Sequence, residues 1–583
     1  MIIKEIFHPV KLAFRLSAAW LFSVCICMLS SVSGFEVLNF VKEMRLEIFW
    51  SSFTAAFLVF TLLSGRFSKS PVDCRALFAC TLGVMILALF RISDPYFALG
   101  VLLILALFGY YMLDRLKPEK IKFSLINTKC ILLAAALIFF LFVGILTSMR
   151  YLNHQTPAYD FGIFAQMFYQ MKETFLPNTT VERDMLLSHF AVHISPIYYL
   201  LLPVYWLFPN PITLQIAQAA VVASGVIPLY LLCRHYGLSA KITACIGIAY
   251  CMFPALLGGC FYDIHENMFL TPLLLWLFYF YEKRRFAGVY IFAMLTLLVK
   301  EDAMIYVASF ALFALLSRRD WKHGLILLGM SAVYFIGAVA LLNSFGQGAM
   351  TNRFENYMVD QRLGLAGVIL TIFKNPAYLL HEVFNSEKLV FLLIMLVPIG
   401  FLPLLNKKPS QMLLLIPFLV ISLMSDYPYQ HSIHFQYVFG VIAFFFYLAV
   451  MNLAAMPQQM RRRFAGFAAA GCLLMSVSQI SPYLNIYRTY ISNRQENLII
   501  DDFLKTIPSD ASVEASSYFV PSLSQRKEIY RLKSRNTAEY IVVDLRPGYF
   551  DNDAKKYLEE YLQQGFAKIA EEENLLVILK QPF

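Results

Sequence analysis

The chain has 583 residues, 59% of them hydrophobic and 15% charged, with a net charge of +10. Apolar runs of about 20 residues, the length that crosses a hydrocarbon layer of ~30 Å, recur along most of it, more than a soluble core needs. This excludes a soluble globular protein, and the positive balance reads as Lys and Arg retained on the cytoplasmic side of a membrane, with no nucleic-acid partner implied.

In chain order, Lys4, Lys11 and Arg15 flank a first span at about 12–34 and place the N-terminus in the cytoplasm. No small-residue cleavage site follows that span, so it reads as a retained anchor. Further spans are expected near 47–64, 76–91, 96–113 and 129–148, with inner connections marked by Arg66, Lys69 and Arg75 and by Arg115, Lys117 and Lys120. The loop that begins at Arg150 then faces outward. The next apolar run, 194–208, is short, contains Pro203 and is closed by Pro209 and Pro211, which suits a re-entrant or interfacial helix. With that run not counted as a span, Arg234, Arg284, Arg318, Lys407 and Arg461 all fall inside.

Spans near 211–233, 240–259, 267–281, 287–299, 303–317, 324–342, 389–405, 411–425, 433–451 and 464–480 bring the expected total to about fifteen. The reading divides the chain into a four-helix transmembrane module (1–125), a transmembrane core (126–482) with outer loops at 149–210 and 343–388, and an extracytoplasmic domain (483–583). In the last part, strand-length runs (SVEAS, EYIVVDL, LLVILK) alternate with helical patterns near 495–506 and 552–564, which predicts a small α/β domain. The ten cysteines lie almost entirely within apolar segments, with no C-x-x-C spacing, so neither a disulfide framework nor a zinc site is indicated.

In this topology the unusual polar residues gather on the outer side. Asp160, His189 and His193 occupy the first large loop, and Asp263, His265 and Glu266 fall in FYDIHENM at the mouth of a span. Lys300, Glu301 and Asp302 form another mouth, Arg362 belongs to the later outer loop, and His431 and His434 to the last short one. Ionisable groups at membrane depth are costly, so five loops presenting them to one face predict a pocket. Each group also has a plainer use. Asp160 can cap the helix that starts at Phe161. His189 and His193 have the i,i+4 spacing of metal ligands but serve as well as hydrogen-bonding groups. Lys300-Glu301-Asp302 can neutralise itself or hold a phosphate or a cation.

The runs YDFGIFAQ (159–166), HFAVHISPIYYLLLPVYWLFPNPITLQIAQ (189–218), FYDIHENMFLTPLLL (261–275) and LLVKEDAMIY (297–306) resemble the membrane-protein family known as domain of unknown function 2079. So do the tail elements IPSDASVEASSYFVPSLSQRKEIY and EYIVVDLR. That family in turn resembles the GT-C glycosyltransferases, multispan enzymes that take sugars from polyprenyl-phosphate carriers outside the membrane. The resemblance implies that Asp160 is the catalytic base, that Ser195-Pro196 leads a horizontal helix, and that Asp263 is the later acidic residue. It further implies a polyprenyl-phosphate sugar donor and a lipid or glycan acceptor, and the outer-face residues His189, His193, Asp263, His265, Glu266, Lys300, Glu301, Asp302, Arg362, His431 and His434 are the expected substrate contacts. The chain departs from the GT-C pattern in having Phe161 where a second carboxylate often follows the first. No resident cofactor is expected, and a divalent cation stays open.

The expected function is thus a cell-envelope membrane glycosyltransferase. A transporter or lipid flippase and a non-catalytic envelope-assembly protein are the alternatives, since intramembrane charges also mark transport paths. The clustering of polar residues on one face and the lack of an obvious inverted repeat favour the enzyme.

Overall fold

The computed structural model describes residues 8–31, 39–67, 70–116, 123–345, 352–358, 361–533, 538–549 and 553–582. Among them are ten helices long and apolar enough to cross a membrane, against about fifteen expected. The other five expected spans are shorter or irregular. Leu270–Glu282, Phe286–Leu297 and Met304–Leu316 are helices of 12 or 13 residues, two of them preceded by the 3₁₀ turns Glu266–Phe269 and Glu301–Ala303. The 389–405 and 411–425 runs contain the helix Ser386–Leu396, 3₁₀ turns and a π-helical stretch, Phe418–Leu423. Positive φ at Gly400 and Phe401, with Pro403, Pro409 and Pro417 close behind, accounts for the broken helix there. The 194–208 run is likewise not one helix but two short pieces, Pro196–Leu200 and Leu202–Leu207.

The first helices, Pro9–Ser30, Leu46–Arg66 and Val72–Arg91, are joined by a buried charge pair. Arg15 Nε donates to Asp73 Oδ1 at 2.9 Å, and its Nη atoms reach Thr61 Oγ1 (3.2 Å) and Ser64 Oγ (3.1 Å). A guanidinium among apolar helices is tolerable only when so fully paired. Leu89 of Val72–Arg91, with Leu102 and Leu105 of the next helix, Pro95–Leu116, packs on Leu474 and Met475 of the helix Gln458–Ser492. At about 1.5 Å per residue, the 35 residues of that helix exceed the ~30 Å of a hydrocarbon layer by several turns. It runs past Tyr483, so the compositional change there falls inside a helix. The centre of the core is Phe439–Ala455, buried on every side.

The C-terminal part forms a five-stranded sheet of order β4-β3-β5-β7-β6. Its strands are β3 (Val513–Ala515), β4 (Ile529–Arg531), β5 (Tyr540–Asp544), β6 (Ala567–Glu572) and β7 (Leu576–Lys580); β1 (Asn178–Thr179) and β2 (Leu187–Ser188) form a separate hairpin in the loop after Arg150. β3 pairs parallel with both neighbours, whereas β5–β7 and β7–β6 are antiparallel. The period-2 alternation divides its side chains cleanly. Ile541, Val543, Val577 and Leu579 pack under the helix Ala554–Gln563, while Val542, Leu576 and Ile578 join the main core of the transmembrane part. The domain is therefore built into the loop beneath it.

Candidate functional site

That loop carries Asp160. The short π-helical turn Ala158–Gly162 leads into the helix Ile163–Thr174, which is buried on nearly all faces. Its polar positions explain why. Gln166 and Gln170 donate to the backbone carbonyl of Lys527 (3.1 and 3.0 Å), and Thr180 bonds both the carbonyl and the amide of Ile529. Ser517 Oγ accepts from the Ala158 amide at 3.2 Å, and the Arg531 guanidinium lies 4.2 Å from the Tyr159 ring centroid while pairing with Asp184. The C-terminal domain thus holds the backbone on both sides of Asp160.

Asp160 is half-buried, and its Oδ2 accepts from the Tyr262 hydroxyl at 2.9 Å. Burial raises its pKa above the ordinary carboxylate value, and the Tyr262 hydrogen bond works against that rise. It does not cap the helix by a side-chain bond. A raised carboxylate with one hydroxyl partner is suited to take a proton.

Next to it is a buried polar cluster. Glu266 Oε1 lies 3.2 Å from Lys300 Nζ, and Glu266 Oε2 accepts from the Tyr198 hydroxyl (2.8 Å) and lies 3.1 Å from His265 Nδ1. Burial works against the Lys300 cation, but Glu266, then Asp302 and Glu301, outweigh it and keep the ammonium charged. Burial pushes His265 down to about 3, leaving a neutral imidazole. His193 Nδ1 meets Glu301 Oε1 at 2.8 Å, and the other Glu301 oxygen accepts the Ile194 amide at 3.1 Å. His189 Nδ1 meets Glu182 Oε2 at 2.9 Å, and that carboxylate overrides burial to raise the imidazole pKa. The two loop histidines therefore each serve a separate carboxylate. Among the described residues no group of three His, Cys, Asp or Glu side chains is placed to hold a metal ion.

Asp263 is buried as well. Gln215 Nε2 donates to its Oδ1 at 2.7 Å, and Arg150 Nη1 lies 3.4 Å from Oδ2 while donating to the Phe261 carbonyl at 2.6 Å. Burial pushes Asp263 up to about 6 against the pull of Arg150. Its φ of 113° is in the left-handed region that favours glycine, so a side chain is retained there at a backbone cost.

Asp160, His189, His193, Asp263, His265, Glu266, Lys300 and Glu301 come together in this way, with Asp302 half-buried beside them. Three expected residues have other settings. Arg362 is exposed in the short turn Gln361–Leu363, and His431 and His434 line a different cavity. Sequence reasoning missed Glu182, Tyr262, Gln215 and Arg353. Arg353 belongs to the same expected outer loop as Arg362. Its guanidinium stands 5.0 Å from the ring centroids of both Tyr427 and Tyr437, donates to Tyr437 Oη at 3.3 Å, and acts electrostatically on Asp302. The only signal in the sequence was a cation among aromatic residues.

No curated protein matches the chain. Among solved structures, it is similar to ArnT from Cupriavidus metallidurans bound to undecaprenyl phosphate, with 11% identity, 76% of this chain and 97% of that chain covered, and a TM-score of 0.49. The apo form of that protein gives 11% identity, coverage of 75% and 97%, and a TM-score of 0.43. The family model described as "Predicted membrane protein (DUF2079)" matches residues 150–577, which hold the whole polar cluster. With that match extending over well more than half of its length, the chain belongs to the DUF2079 family of membrane proteins.

Proposed function

We propose that this protein is a membrane glycosyltransferase of the GT-C type, taking a sugar from a polyprenyl-phosphate donor to a lipid or glycan acceptor at the extracytoplasmic face. The observation that carries the reading is Asp160, a carboxylate with a raised pKa and, among the described residues, a single hydroxyl partner, set beside buried Lys300 and half-buried Arg353. The acceptor hydroxyl would attack the anomeric carbon and pass its proton to Asp160 as the carbon–oxygen bond to the phosphate breaks. The leaving polyprenyl phosphate takes the bonding electrons, so its oxygens need a cation. Lys300 is already neutralised by Glu266, which leaves Arg353, packed against tyrosine faces, as the more available phosphate ligand. Asp263, Glu266 and His265 would orient sugar hydroxyls, and no metal step is invoked.

The inner membrane, a cytoplasmic N-terminus and an outward C-terminal domain belong to the same reading. Two ion pairs, Arg284–Asp320 and Arg318–Glu282, cluster at the Glu282 end of the helix Leu270–Glu282, opposite its Glu266 side. Basic groups at that end suit a cytoplasmic face. The test is reconstitution of the full chain in proteoliposomes with a panel of polyprenyl-phosphate pentoses and hexoses. Consumption of one donor with appearance of free polyprenyl phosphate is expected. Translocation of a donor with its sugar still attached would replace this reading with a flippase.

A further inference from the structure

A cavity of about 440 Å³ lies against residues 431–434, within the size range of small-ligand sites. Its apolar floor comes from Phe391 and Ile394 of the helix Ser386–Leu396 and from Met475 of Gln458–Ser492. Its polar rim comes from His431, His434 and Gln479. Ser93 and Pro95 close one wall, and they lie outside the family match, so the N-terminal helices complete this site.

Two rim atoms point to a ligand. His431 is nearly buried, its side chain only 8% exposed, and its Nδ1 has no hydrogen-bond partner among the described residues. Gln479 Oε1 is a buried acceptor in the same condition. Leaving such atoms unpaired is costly, and turning either side chain toward an occupant with donors and acceptors would relieve it. The charge at the rim decides what kind. Burial, helped by Lys388, lowers the His431 pKa, and burial lowers that of His434, so both imidazoles are neutral near pH 7. The Glu387 carboxylate, 3.6 Å from His431 Nε2, stands at the mouth, while Lys388 Nζ donates instead to the Glu382 carbonyl. Neutral imidazoles, an amide and a carboxylate suit sugar hydroxyls and disfavour a phosphate.

The cavity is also close to the candidate base. His434 Nδ1 lies 3.2 Å from the Tyr483 hydroxyl, the Tyr483 ring stacks on Phe261 at 3.7 Å, and Tyr262, the next residue, holds Asp160.

We propose that this cavity binds the uncharged sugar headgroup of an amphiphile, its hydroxyls on His431, His434 and Gln479 and its chain against Phe391, Ile394 and Met475. That amphiphile is the acceptor of the proposed transfer, and only this naming rests on the transfer reading. The test uses the full chain in nanodiscs with two photoreactive probes of one alkyl chain, an alkyl β-glucoside and an alkyl phosphate. The glucoside should label peptides 428–435 and 475–483 at least fivefold more than the phosphate does, and unlabelled alkyl glucoside should compete where free glucose does not. Labelling should fall at least fivefold in the double variant His431→Leu/Gln479→Leu and in Ile394→Trp, which fills the floor from an independent position. Equal labelling by the phosphate, competition by free glucose alone, labelling that survives both variants, or none above that of the helix Trp321–Ser344 would overturn the proposal. Asp160→Asn should leave labelling unchanged. Labelling without any transfer would sink only the transfer reading, and transfer without labelling only this site.

Discussion

At the scale of single residues, the chemistry turns on which buried charges are paired and which are available. The Tyr262 hydroxyl favours the ionised form of Asp160. Removing it in Tyr262→Phe should raise the carboxyl pKa further, so the acid limb of the pH–rate profile moves to higher pH. With Asp160 as the proposed base, active as the anion, the loss should be greatest at acidic pH, on the order of tenfold for a hydrogen bond to a charged group, and fade as pH rises. An unmoved acid limb would separate Asp160 from the titration. Glu266 and Lys300 behave differently, because both are buried and each depends on the other. Glu266→Gln or Lys300→Met alone leaves an uncompensated buried charge and should cost about 3–5 kcal/mol. The double variant Glu266→Met/Lys300→Met should recover much of that in thermal melts of the detergent-solubilised protein, whatever happens to activity. Asp160, Asp263, Glu266 and Lys300 were legible in the sequence because charges break apolar runs there. Glu182, Tyr262 and Arg353 were not, because a charged or aromatic residue in a wet loop is ordinary until the fold brings its partner to it.

At the scale of elements, the segment from Arg150 to Pro211 is held less by its own structure than by the C-terminal sheet. Gln166, Gln170 and Thr180 take their hydrogen bonds from the 526–529 backbone, and Arg546 bonds the carbonyls of Asn153 and His154. A chain truncated after Asn493 should therefore insert in the membrane, yet lose protease resistance across residues 153–210. Limited proteolysis with peptide mapping reads this directly, and a loop that stays resistant would show that the sheet is a mere cap. In the sequence, three of the five strands of that sheet, β3, β5 and β7, were visible as apolar runs of strand length, and the helix 163–174 from its amphipathic pattern. Its burial on both sides was not, since the second partner lies some 350 residues away and is polar backbone. The expected spans between 267 and 425 show a related limit. An apolar run reports burial, and it reads the same whether the run is one straight helix or a helix broken by Gly400, Pro403 and Pro417.

At the scale of the whole molecule, the polar cluster and the sheet occupy one end of the bundle and the Arg284, Arg318 and Glu282 network the other. If the positive-inside rule sets the orientation, an impermeant maleimide should label Ser509→Cys, an exposed position beside the sheet, in intact cells. Lys407→Cys, exposed at the opposite end, should react only after permeabilisation. The reverse pattern would put the site on the cytoplasmic side and remove the case for an extracytoplasmic donor. The most direct measurement is a single-turnover comparison of wild type and Asp160→Asn on the polyprenyl-phosphate sugar that the wild type consumes. The account predicts equal donor binding, with release of polyprenyl phosphate slowed by about 10²–10⁴ in the variant, the range of a lost general base. Release at the wild-type rate from a folded Asp160→Asn protein would contradict it.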